Sequence, residues 1–133
     1  VIPATVSGLP STVIALVRGD DVLASSRAAG TLLGESSLLR GLVAHAGLSL
    51  WWATALRVVL PRRHTAAWGA AAGTAIAVLD LGVVARRWFP AVRALPQVPQ
   101  YLDHVAFGVA VALTVECESR PRLGALRRTP ARR

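Results

Sequence analysis

Apolar residues in this chain gather into long runs separated by narrow charged bands, and the length of each run decides what it can be. A helix that crosses a bilayer needs about 20 apolar residues, since each adds about 1.5 Å towards about 30 Å of hydrocarbon. Residues 41–60 meet that length with Arg57 as the one interior charge, close enough to the end to reach the interface. Residues 65–85 meet it with a single acid, Asp80. Residues 99–117 are slightly shorter and carry Asp103 and His104 near their start, while residues 1–17 hold no charge but are interrupted by Pro3, Gly8 and Pro10. The pattern predicts an all-α transmembrane helical bundle over residues 1–117, of four spans with three as the alternative, followed by an arginine-rich tail at 118–133.

The connections are legible from their turn residues. Arg18-Gly19-Asp20-Asp21 reads as a turn whose Asp21 caps the next segment. There Val22, Leu23, Ala28, Ala29, Leu32 and Leu33 recur at helical spacing with Ser25, Ser26 and Arg27 on another side, which predicts an amphipathic helix over 22–33 lying on the membrane surface between spans one and two. Gly34 should end it, and Ser36 or Ser37 should cap the following span. Pro61-Arg62-Arg63-His64 is so short that spans two and three must form an antiparallel hairpin. Pro90 and Pro96, with Trp88 and Phe89 nearby, predict an extended loop over 86–98 at headgroup level. Gly8-Leu9-Pro10-Ser11-Thr12 reads as a kink whose hydroxyls satisfy carbonyls that the proline frees. A cleaved signal peptide fits the first run poorly, because no basic stretch precedes it.

Composition reinforces the membrane assignment. The chain is 53% hydrophobic with a mean hydropathy of +0.49, yet its net charge is +8. All 15 basic residues are arginine, and Lys, Asn and Met are absent, as in proteins of strongly GC-biased genomes. A basic balance of this size raises nucleic acid as a partner, but these arginines flank apolar runs instead of lining a polar face, so no nucleic-acid partner is expected. Membrane lipids are the expected partner, with Arg120, Arg122, Arg127, Arg128, Arg132 and Arg133 of the tail placed to meet their headgroups. That tail has no useful apolar pattern and should be mobile without lipid or a partner. With four crossings and a cytoplasmic tail, eight arginines lie inside against six outside, which favours N-in, C-in. Cys117 is the only cysteine, so neither an intrachain disulfide nor a cysteine-based zinc site can form.

Polar residues within the spans are the candidates for chemistry. His45, Ser49 and Trp52 fall at i, i+4 and i+7, a narrow stripe expected to face protein. Gly69, Gly73 and Ala77 place small residues every four positions, which lets another helix approach closely, from this chain or from a second copy. Asp80 must be protonated, hydrogen-bonded or paired, with His45, His104 and Arg57 as candidate partners. Asp103 and His104 point about 100° apart on a helix; Asp103 either caps span four or joins a site, and His104 can meet Asp80 at the end that the 86–98 loop connects. His45, Ser49, Asp80, Asp103 and His104 thus converge on the loop-side half of the bundle as a polar intramembrane cluster. Its function is a proton relay, a cation site or a structural pair. Carboxylate and imidazole together suit iron, zinc or manganese, but no Glu-x-x-His or His-x-x-x-His is present, so neither a metal nor a cofactor is expected. Glu116, Cys117 and Glu118 lie at the opposite end and are expected to balance the arginine tail. No phosphate-binding loop, nucleophile elbow or Ser-His-Asp order occurs.

Together, Gly8-Leu9-Pro10-Ser11-Thr12, Ala28-Ala29-Gly30, His45 with Ser49-Leu50-Trp51-Trp52, Leu60-Pro61-Arg62-Arg63, Leu79-Asp80-Leu81-Gly82, Arg86-Arg87 and Asp103-His104 with Ala106-Phe107-Gly108 make the chain resemble a group of small polytopic membrane proteins of high-GC actinobacteria. The resemblance runs to about residue 110 and excludes the tail. It implies a compact bundle of about four helices in a bacterial plasma membrane and supplies no activity. Three functions remain open: a binding or accessory subunit or carrier of an apolar ligand, with a homo-oligomer or a larger membrane protein as partner; a small transporter or intramembrane enzyme working through the His/Asp cluster; and a lipid anchor gripping through the tail.

Overall fold

A computed structural model describes residues 7–61 and 65–119 of the chain. All regular structure in these residues is helical: α1 (Leu9–Arg18), α2 (Ala24–Gly30), a 3-10 turn (Thr31–Leu33), α3 (Leu38–Val59), α4 (Thr65–Trp88), α5 (Pro90–Arg93) and α6 (Gln97–Ser119). Three of them are long and apolar enough to cross a membrane. Their apolar stretches of 22, 24 and 22 residues in α3, α4 and α6 correspond to about 33–36 Å, enough for a hydrocarbon layer of about 30 Å.

The expected first span is seen only in part. Its described portion, α1, has ten residues and so reaches about 15 Å, half a crossing; residues 1–6 lie outside the described residues, as do Arg62, Arg63, His64 and the six tail arginines. Gly8 is a turn at the start of α1, and the Ser11 and Thr12 hydroxyls donate to its carbonyl at 3.3 and 2.7 Å; that carbonyl also accepts from the Thr12 amide at 3.2 Å, so Pro10 does not free it, and the one it would free, four residues back, lies outside the described residues. At the other end Gly19 closes α1 in the left-handed region (φ 70°).

α2 is shorter than the 22–33 segment predicted, because Val22 and Leu23 belong to a turn and Thr31–Leu33 tighten into a 3-10 turn that ends at Gly34 (φ 105°). Asp21 accepts from the Leu23 amide at 2.9 Å and pairs with Arg27. Ser37 is the cap of α3, accepting from the Arg40 amide at 3.3 Å. α2 also has a protein face as well as an outer one. Its backbone sits on the first turn of α3, where a Cβ on Gly41 would come within 1.6 Å of the Ser26 carbonyl oxygen.

The 86–98 segment is not extended, which corrects the sequence expectation. Helix α4 continues through Trp88, breaks at Phe89 (φ −125°, ψ 79°), and restarts as α5 at Pro90. Proline is compatible with a first turn because the amide hydrogen it lacks has no partner there. The same reasoning accommodates Pro99 in the first turn of α6, which starts at Gln97.

α4 and α6 are antiparallel and make the most extensive contact between helices among the described residues. A Cβ on Gly69 would lie 2.5 Å from the Gly108 carbonyl oxygen, one on Gly73 2.3 Å from that of His104, and one on Gly108 2.1 Å from that of Gly69. These distances leave no room for any side chain. Above this contact α3 leans on both helices, closing a core of Leu56, Ile76, Phe107 and Val111 with Trp52, Ala53, Leu60 and Ala72 around it. The small-residue face of α4 therefore packs within the chain.

Glycine contact of this kind has a direct test. Gly108→Leu should separate α4 from α6 and cost at least about 2–3 kcal/mol, by overpacking, in a detergent denaturation series. Gly47→Ala in α3, where a Cβ meets nothing within 4 Å, should instead stabilise by about 0.5–1 kcal/mol through helix propensity alone.

Candidate functional site

Helix α4 changes character halfway. Thr65–Ala77 is α-helical and Val78–Ala85 is a π-helix. The buried positions along it are Thr65, Gly69, Gly73, Ala77, Leu81 and Ala85, a strict repeat of four, with Ile76 beside them. In a helix of 3.6 residues per turn, positions four apart drift sideways by about 40° per step, so such a seam would leave the face of α6. A π-turn, closed by i→i+5 bonds, is wider than four residues and reverses the drift. The π segment keeps the seam on its partner, and Asp80 lies within it.

Asp80 is held from two other helices. The indole Nε1 of Trp52 on α3 donates to its Oδ2 at 3.1 Å, and His104 Nε2 on α6 lies 3.6 Å from the same oxygen. Both partners in the Asp80–His104 pair are shielded, with side chains 17% and 23% exposed. The other ring nitrogen of His104 is 2.8 Å from the Gln100 carbonyl oxygen. A carbonyl only accepts, so Nδ1 carries a hydrogen. The ring nitrogen that faces Asp80 Oδ2 is thus Nε2, at ion-pair and not hydrogen-bond distance. An imidazole set against the acid lowers the cost of an isolated charge in an apolar bundle.

Asp103, one residue before His104, looks away from this pair, as adjacent helical positions must. It does not cap its own helix, which starts six residues earlier. Instead its Oδ1 accepts from the Ser11 amide at 2.9 Å, in the first turn of α1, where backbone N–H groups have no helical acceptor and the helix dipole favours a carboxylate. It is a cap supplied from another helix. His45 on α3 is exposed to the outside of the bundle yet near enough to Asp103 to interact electrostatically. Ser49 is half-buried on α3. Of the His45, Ser49, Trp52 stripe, Trp52 makes the contact with Asp80. Gln100 adds a tie to α2, donating to Ser25 Oγ at 2.9 Å.

The opposite end of the bundle holds contacts that the sequence does not announce. Glu118 pairs with Arg57, and the buried Thr65 hydroxyl donates to Glu116. These acids therefore bind α6 to α3 and α4; the tail arginines they were expected to balance lie outside the described residues. Arg57, a candidate partner of Asp80, is engaged here instead. Cys117 is free and exposed. Among the described residues no three of His, Cys, Asp and Glu form a set that would hold a metal ion, and no buried side-chain nitrogen or oxygen lacks a hydrogen-bond partner.

No protein-family model, curated protein or solved structure matches the chain.

Removing the cap borrowed by α1 should be visible locally. Asp103→Ala is expected to cost about 1 kcal/mol and to speed hydrogen exchange in the first turn of α1, leaving the α4–α6 seam protected; Asp103→Asn, which keeps an acceptor oxygen, should recover part of that protection.

Proposed function

We propose that the chain is a small multi-pass protein of a bacterial plasma membrane that works by binding, as an accessory subunit of a larger membrane assembly. The observation that carries this proposal is the uncovered state of α3. Only 6% of its apolar stretch is buried, against 28% for α4 and for α6, and Leu50, Trp51 and Val58 stand 70%, 67% and 82% exposed. The polar groups inside the bundle support the same view, since their donors and acceptors are turned on one another. A carrier of an apolar ligand would use the same outer face. The resemblance to small actinobacterial membrane proteins adds an architecture of similar size.

Charge placement suggests how it sits. Arg18, Arg27, Arg40, Arg86, Arg87 and Arg93 belong to the end where α2 and α5 gather, whereas Arg62 and Arg63 follow α3 in the sequence and the six tail arginines follow α6. The larger group is favoured on the cytoplasmic side. Three crossings then put the segment before α3 outside, and the N-in, C-in arrangement needs residues 1–18 to complete a fourth.

Site-specific photo-crosslinking in the native host tests the accessory role. A crosslinker at Leu50 or Val58 is expected to capture one discrete membrane protein, while one at Thr65, buried within the bundle, captures none. Adducts to lipid alone from both α3 positions would overturn it.

The π segment favours a second reading, in which the Asp80–His104 pair handles a proton for a small transporter or intramembrane enzyme. π-turns inside otherwise regular helices recur at functional sites, and this one presents an acid to an imidazole across an interface. Asp80→Asn retains an oxygen for Trp52 but cannot share a proton with His104. On this second reading the variant keeps its helical content and thermal midpoint in detergent yet loses acid-driven proton uptake in proteoliposomes. Unfolding of the variant, or unchanged uptake, assigns the pair to packing.

A further inference from the structure

We infer that the groove at the loop-side end of α4 is a binding site for an anionic phospholipid, with its phosphodiester held by Arg86 and Arg87 and its first acyl carbons lying over Val83 and the gap at Gly82. The inference rests on α4 spanning a membrane but not on the accessory role proposed above. The groove is shallow and largely open, lined by Gly82, Val83, Arg86, Arg87 and Trp88, with a volume of about 380 Å³. Positions 82 and 86, and 83 and 87, are one turn apart, so the apolar pair and the arginine pair lie on the same side of the helix, one above the other. That vertical order, charge towards the headgroups and apolar surface towards the chains, is the order within a phospholipid.

Three observations bear on this groove. First, Arg27, Arg40 and Arg57 each pair with an acid, whereas Arg18, Arg86, Arg87 and Arg93 have no such partner among the described residues, and of these four Arg86 and Arg87 are adjacent and line the groove. Arginine at a helix C-terminus is favourable by itself, but the terminus supplies only about half a negative charge, and two guanidinium groups leave a clear excess for an anion. Second, Gly82 is not required by packing. A Cβ there would meet Tyr101 Oη at 3.5 Å and Val78 at 3.9 Å, ordinary contact distances, unlike Gly69, Gly73 and Gly108. A glycine in a helix costs up to about 1 kcal/mol relative to alanine, and here the missing side chain leaves the groove open beside a phenol that can donate to a phosphate oxygen. Third, Trp88 is 62% exposed at the lip of the groove, the interfacial depth at which an indole settles. A free phosphate would use the arginines but not the apolar floor.

Native mass spectrometry of the full chain, delipidated in a mild detergent and titrated with phosphatidylglycerol, phosphatidylcholine or inorganic phosphate, tests the site. The first phosphatidylglycerol should bind in preference to phosphatidylcholine and should resist inorganic phosphate. The double substitution Arg86→Gln with Arg87→Gln should weaken it by about thirty-fold, whereas Arg62→Gln with Arg63→Gln, the same change in net charge, should leave it unchanged. Gly82→Leu, which fills the floor and keeps every charge, should weaken it several-fold. Circular dichroism establishes that each variant is folded. Equal losses from the two arginine pairs would reduce the effect to net charge, full binding in Gly82→Leu would remove the groove, and displacement by inorganic phosphate would make the arginines a plain anion site; each of these overturns the inference.

Discussion

Direct backbone contact between α4 and α6, at Gly69, Gly73 and Gly108, is the constraint on which the rest of the structure depends. In hydrocarbon, apolar side chains gain nothing by leaving lipid for protein, so helices associate through close packing and polar contacts. Each of these glycines places a carbonyl oxygen of the other helix within 2.5 Å of where its Cβ would stand, close enough for Cα–H groups to meet carbonyl oxygens directly. A contact of that tightness fixes both separation and register. Continuing it towards the end of α4 requires every fourth residue to stay on one face, and the π segment Val78–Ala85 is the geometric answer.

The register also accounts for the polar cluster. Side chains lean towards the N-terminus of their own helix, and α4 and α6 run in opposite directions. Asp80 therefore leans back along α4 towards the glycine contact while His104 leans along α6 away from it, and the two close on each other although they are several residues out of step. Trp52, on a helix antiparallel to α4, leans the same way as His104 and reaches the same carboxylate oxygen. Antiparallel packing thus brings together three side chains whose Cα positions alone would not suggest contact. The product is a polar unit drawn from three helices, which is how a lone acid can persist within an apolar stretch.

Much of this was visible in the sequence wherever the cause was local. Run length identified α3, α4 and α6; Gly19 and Gly34 marked the ends of α1 and of the α2 segment, Ser36 or Ser37 the cap of α3, and Gly69 and Gly73 a close-packing face. The losses have physical reasons. Pro90, with Pro96, was read as a loop former because a proline that starts a helix and one that prevents it look alike without knowing where the first turn falls. Asp103 was left between capping its own helix and joining a site, whereas the amide it serves lies 92 positions away on α1; the Arg57–Glu118 and Thr65–Glu116 contacts are likewise separated by 61 and 51 positions. The π-helix left no trace of its own. Positions 65, 69, 73, 77, 81 and 85 are all small or apolar, but so are 66, 70, 74, 78 and 82 and 67, 71, 75, 79 and 83, so in a span this uniformly apolar the buried register does not stand out.

Three long helices with one tight seam leave an unequal exterior. α4 and α6 spend a full face on each other, and α3 rests on them mainly through Leu56, Trp52 and Ala53, so its remaining circumference is outer surface. Among the described residues no buried side-chain nitrogen or oxygen is left without a partner, and the α4–α6 seam leaves no room for a side chain. On the accessory reading proposed above, recognition therefore falls to the periphery: along the apolar flank of α3, and at the loop-side end of α4, where Gly82 is the glycine of that helix whose missing side chain no neighbouring backbone requires.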